Sequence, residues 1–172
     1  ATGFYTFNSN INSLELKNRP YSVHLQFVDI LYGVFIAPGS TMVIKRNLFT
    51  AIGGYNITYR RLEDWDLLIR IFLKYKVVGF LNVPTAQIFA ANEYTVRNLK
   101  ESSKKLFCLN YKALWKIKSH YSIILIVGLY FELFVAELRS RNYLRATVYF
   151  LLINCLSLFQ HPYFRIHGFK IK

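Results

Sequence analysis

A chain of 172 residues with a net charge of +13, 53% hydrophobic and 17% aromatic, has length for one or two small domains and too much apolar content for a disordered polymer. Residues 1–98 carry ten Lys/Arg against six Asp/Glu, and residues 99–172 carry twelve against three. The more basic half is also the more apolar, which suits an anionic membrane surface; with no nucleic-acid-binding motif beside the charge, it argues against nucleic acid as a partner.

The two cysteines, Cys108 and Cys155, make no CxxC motif or metal set, and are expected to be buried, reduced thiols. No signal peptide opens the chain, so a cytoplasmic setting is the starting expectation. The first residue is Ala1 rather than Met, and the native start is expected upstream.

Taken in order, residues 1–20 are polar and turn-rich and read as a loop with one short strand. Residues 21–36 are apolar with broken alternation, leaving helix and strand both open. After Pro38-Gly39, the run Ser40–Ile44 reads as a short buried strand. Asn47 is placed to cap a short helix through Ile52, and Gly53-Gly54 to end it. A helix follows from about Leu62 to Tyr75, with Leu67, Leu68, Ile71 and Phe72 as its apolar face. Residues 76–81 read as the next strand, closed by Pro84, and Ile88–Ala90 as another.

From Asn98 the pattern changes. A lysine-decorated helix precedes two strongly apolar stretches, Tyr121–Leu138 and Tyr143–Phe159, joined by the basic turn Arg139–Asn142. They predict a helical hairpin. Glu132 inside the first stretch, and Asn154 inside the second, weigh against true spans, so packed, interfacial and spanning placements all stay open.

The chemistry-bearing segment is Arg60–Arg70, which sets Glu63, Asp64 and Asp66 in the opening turns of one helix. A carboxylate there can take the proton of an acceptor hydroxyl as a new bond forms. Glu63 and Asp64 are adjacent, so they point in different directions and at most one faces an acceptor. The helix macrodipole is expected to hold either one ionised. Asp66 and Arg70 stand at i,i+4, and an ion pair accounts for both; Arg70 bracing the base or reaching a diphosphate is the alternative. Trp65 fits either sugar stacking or core packing. His24, His120, His161 and His167 lack metal-ligand spacing.

The run Pro38–Arg46, then Phe49, Ile52-Gly53-Gly54-Tyr55 and Arg61–Arg70, resembles one continuous block of family 2 glycosyltransferases, over residues 37–90. The resemblance implies a GT-A fold, an inverting mechanism, a nucleotide-sugar donor and a divalent metal (Mg or Mn). It maps the family's general base onto Asp64, with Glu63, Trp65 and Arg70 binding acceptor or supporting the base, and Gly39 and Ser40 near the cleft floor. The family's Asp-x-Asp metal motif is absent ahead of the block, where the acidic residues are Glu15 and Asp29. Asp64-Trp65-Asp66 has the spelling but lies in the base helix.

The expected architecture is therefore α/β: residues 1–98 as the acceptor-side half of a GT-A domain, and residues 99–172 as a basic, apolar helical extension ending in the hairpin. The expected function is that of a glycosyltransferase fragment, inactive by itself, that acts on a glycan or lipid-linked glycan acceptor. Its expected place is the cytoplasm or the inner face of the membrane. The alternative is a non-catalytic small membrane-associated protein.

Overall fold

The computed structural model describes residues 2–8, 13–17, 27–33, 42–75, 81–89 and 96–158; along its strands and at Leu158 it describes the backbone alone. The chain forms two compact units, Ala1–Thr95 and Val96–Lys172.

In the first unit, β1 (Thr2–Asn8) pairs antiparallel with β2 (Ser13–Lys17), from Phe4 opposite Lys17 to Asn8 opposite Ser13. β3 (Leu81–Phe89) runs parallel to β1, so the order is β2-β1-β3, with register shifts around Gly3. The helices are α1 (Phe27–Tyr32), α2 (Arg46–Ala51) and α3 (Glu63–Tyr75). α3 forms because three acids fill its first turn, against the partial positive charge of the helix start, and apolar residues recur along one side. Trp65, Leu67, Ile69 and Ile71 are buried, with Val28, Ile30 and Leu31 of α1. Phe27 stacks on Phe72 at 4.8 Å between ring centroids. The Trp65 indole N–H donates to the Ile30 carbonyl at 2.7 Å. Gly33, at φ +68°, ends α1 directly against that indole, and a Cβ there would overlap the ring.

The α/β half of GT-A type expected from the resemblance is not shown among the described residues. Of the residues described through to their side chains, 81% are helical and none lies in a strand. Met42, Val43 and Ile44 join no sheet, Val43 is exposed, and Pro84 lies inside β3 rather than ending a strand. The reason is that β-propensity reports how a side chain suits a pleated surface; it does not supply the partner strand. Residues 21–26, 34–41 and 76–80, on which parts of the expected α/β order fell, lie outside the described residues.

The second unit is helical among its described residues: α4 (Val96–Ile117), α5 (Ser119–Arg139) and α6 (Tyr143–Leu158). α4 buries Leu99, Leu106 and Leu114 along one stripe. α5 packs against both α4 and α6, which explains its apolar character on most sides. It ends in a Schellman turn, with Asn142 N–H donating to Glu137 O and Arg141 N–H to Leu138 O, and Arg141 at φ +57°. Asn142 then receives the Arg145 N–H on its side chain and opens α6. Glu137 is buried and pairs with Lys100 Nζ at 2.6 Å, tying α5 to α4. The cysteines depart from expectation: Cys108 and Cys155 are both exposed free thiols. α5 is long and apolar enough to cross a membrane, and half of that stretch is buried within the protein.

Candidate functional site

The site is built from the end of α2 and the start of α3. Gly53 (φ +84°) and Gly54 (φ +65°) close α2 in a Schellman turn, Gly54 N–H reaching Phe49 O at 2.9 Å and Gly53 N–H reaching Thr50 O at 3.0 Å. Positive φ at both positions is the physical need for the Gly-Gly pair. The turn delivers Tyr55 edge-on against Phe49, centroids 5.5 Å apart. Asn56 organises the next turn by accepting the Thr58 N–H at 3.1 Å.

Arg70 holds this turn to α3. Its guanidinium donates to Asp66 Oδ2 at 2.8 Å, Ile52 O at 2.9 Å and Gly54 O at 2.8 Å. Asp66 is buried, and its other oxygen lies 3.4 Å from the Tyr59 hydroxyl. Burial, then the charge of Asp66, pushes the Tyr59 phenol well above its ordinary range. The expected Asp66–Arg70 pair is thus present, and Arg70 is a brace: it is committed to two carbonyls of the turn after α2 and to a buried carboxylate.

The chain enters α3 through Leu62 at φ +66°, a left-handed conformation costly for a branched side chain. Asp64 comes next but one. Its carboxylate is half-buried and accepts the Trp65 N–H at 2.8 Å. Burial raises its pKa above the ordinary aspartate value, and the neighbouring Glu63 charge adds to this; the Trp65 N–H, its own N–H and Arg61 pull the other way. The helix-start argument alone gave the opposite direction, because it left burial out. Glu63 is exposed beside it. Tyr55 is close enough that Asp64 and Glu63, after burial, raise its phenol pKa.

Asp64, Glu63 and Tyr55 therefore come together, with Arg61 in electrostatic reach of Asp64. Trp65 does not join them: it is 2% exposed and belongs to the core over Ile30 and Gly33. Gly39 and Ser40 lie outside the described residues. The sequence reading missed Tyr55 as a site residue. Its signal was present, since an aromatic placed after a helix-ending Gly-Gly packs back on the last turn.

An open hollow of about 800 Å³ runs along α2, bordered among the described residues by Lys45, Arg46, Asn47, Thr50 and Ala51, which do not include Glu63, Asp64, Trp65 or Arg70. The Asp-x-Asp spelled by Asp64 and Asp66 does not fit a divalent cation, because Asp66 is buried under Arg70. Among the described residues no group of three or more His, Cys, Asp or Glu gathers in a way that could hold a metal ion.

A half-buried carboxylate of raised basicity, flanked by a second carboxylate and a phenol, is equipment for general acid–base chemistry. The chain belongs to the glycosyltransferase-like family 2, whose family model matches residues 11–132. The match takes in the whole of this site and runs on through α4 into α5. No curated protein and no solved structure matches the chain.

Proposed function

We propose that this glycosyltransferase-type chain activates an acceptor hydroxyl for inverting transfer from a nucleotide-sugar donor, with Asp64 as the general base. The observation that carries the proposal is the Asp64 carboxylate itself: fixed by the Trp65 N–H, half-buried, and more basic than an ordinary aspartate. In the reaction the acceptor oxygen attacks the anomeric carbon as Asp64 takes its proton. The bond to the nucleotide diphosphate breaks, and the diphosphate leaves on the opposite face. Glu63 and Tyr55 contact the acceptor. Arg70 positions the loop that carries Tyr55, through Ile52 and Gly54. The family resemblance supports inversion and the donor class; a glycan or lipid-linked glycan acceptor and a peripheral place at the inner face of the membrane are supported by the basic, apolar second half.

The test is transfer from a panel of labelled nucleotide sugars by the full chain. Asp64→Asn is expected to lower transfer by about 100-fold or more, the usual effect of removing a general base. Glu63→Gln is expected to keep most of it. Transfer that survives Asp64→Asn in a folded protein overturns the proposal.

A further inference from the structure

The second unit contains a half-enclosed cavity of about 450 Å³ that the transfer chemistry does not use. Lys100, Ser103 and Lys104 of α4 line one side, at the spacing that puts them on a single helix face. Leu129 and Leu133 of α5 and Leu152 of α6 form the apolar side. The volume lies within the range of small-molecule pockets, about 300–1,000 Å³.

Ser103 is the telling residue. It is 5% exposed, and its hydroxyl has no hydrogen-bond partner in the protein. Several other polar side chains of this unit donate to a backbone carbonyl: Asn110 to Leu106 O, Ser122 to Tyr111 O, Thr147 to Tyr143 O, Asn154 to Phe150 O and Ser157 to Ile153 O. A buried hydroxyl left without such a bond is unfavourable. Here it lines a cavity beside two ammonium groups, where an anionic oxygen would accept its proton.

The apolar side decides between a free anion and a lipid. Leu152 lines the cavity and is also 39% exposed, so the cavity shares a wall with the outer face of α6. That face leaves Leu144 80%, Val148 50% and Leu151 57% exposed. Because Thr147 and Asn154 turn their donors inward to the helix backbone, the face presents little but hydrocarbon. Basic residues Arg141 and Arg145 stand exposed at its start.

We infer that this cavity binds one anionic phospholipid, the phosphate held by Ser103 and Lys104 and an acyl chain laid along Leu129, Leu133 and Leu152. Lys100 lines the same side but is neutralised by its pair with Glu137, so Lys104 supplies the charge. The lipid would anchor the second unit with α6 against the bilayer, independently of any transfer at Asp64.

The experiment is sedimentation of the full chain with phosphatidylcholine vesicles, with and without phosphatidylglycerol. Two charge reversals separate a site from general attraction. Lys104 lines the cavity; Lys112 is exposed on the same helix and does not. Lys104→Glu is expected to weaken binding to phosphatidylglycerol vesicles about tenfold more than Lys112→Glu, a difference of about 1.4 kcal/mol. Ser103→Leu, which fills the cavity, is expected to do the same while helical ellipticity is kept. Equal losses from the two lysine variants, equal binding to both kinds of vesicle, or release of the protein by inorganic phosphate alone would each overturn the assignment. If Ser103→Leu fails to fold, the lysine pair still decides.

Discussion

Asp64 is held in a state that costs stability and favours chemistry. Its pKa is raised in the folded chain, chiefly by burial. The folded state then binds the proton more tightly than the unfolded one, so stability is greatest below the ordinary aspartate pKa and falls as pH rises through the raised value. Replacing Asp64 by Asn keeps an acceptor for the Trp65 N–H and removes the charge. Chemical denaturation should therefore find Asp64→Asn more stable than wild type at neutral pH, with the advantage vanishing in acid below the ordinary aspartate pKa; an advantage that persists there would contradict burial as the cause. Activity should follow the reverse course, falling in acid with a midpoint above the ordinary aspartate value. Gly33 is the second residue where one atom decides. An added Cβ meets both a positive φ and the Trp65 ring, so Gly33→Ala should cost more than ~2 kcal/mol in a denaturant titration. The place of Asp64 in the first turn of α3 was legible in the sequence, whereas the fate of Trp65 was not. Its packing partner, the Ile30 carbonyl, lies 35 residues away, and no local pattern encodes that contact.

Between elements, the joint of α2 and α3 rests on Arg70. Spacing alone predicts an i,i+4 pair of a few tenths of a kcal/mol. The same side chain also closes two carbonyls of the Gly-Gly turn, 16 and 18 residues away, and its carboxylate partner is 3% exposed. Removing Arg70 therefore strands a buried charge. Breaking a fully buried pair costs about 3–5 kcal/mol, and the partial exposure of Arg70 lowers the expectation for Arg70→Met to about 2–3 kcal/mol. The double variant with Asp66→Asn should recover part of that loss, and strict additivity of the two would show that they act apart. Activity should fall with Arg70→Met through a raised KM rather than a changed acid limb, since the brace sets Tyr55 and not the proton on Asp64. Leu62 offers the opposite sign. Its left-handed backbone suits glycine, so Leu62→Gly should leave stability unchanged or raise it by up to ~1 kcal/mol despite the lost side chain. The Gly-Gly stop and the hairpin turn were legible because helix ends announce themselves in a few adjacent residues. The strand expected at residues 40–44 was not recoverable that way, because pairing requires a second segment that the run itself does not name.

At the scale of the whole chain, the two units carry separate reporters. Trp65 is buried in the first, and Trp115, 58% exposed, belongs to the second. Helices α4, α5 and α6 make up most of the helical residues, so far-ultraviolet ellipticity follows the second unit while the blue-shifted part of the tryptophan emission follows the first. The acidic residues of the hairpin look, in sequence, like interruptions of an apolar span. Glu137 instead pairs with Lys100 and joins α5 to α4, which a reading of one helix at a time does not reveal. Glu137→Ala leaves Lys100 without its partner; because Lys100 is 34% exposed and can turn toward water, the cost should be about 2 kcal/mol rather than that of a fully buried pair. If the units unfold separately, Gly33→Ala should shift the tryptophan transition and leave the ellipticity transition in place, and Glu137→Ala should do the reverse. Their double variant should then show both shifts at full size, as expected for sites that share no partners. Two variants that each move both transitions by the same amount would mean that the units unfold as one cooperative body, and that the continuous family match across residues 11–132 reflects a single folding unit rather than two.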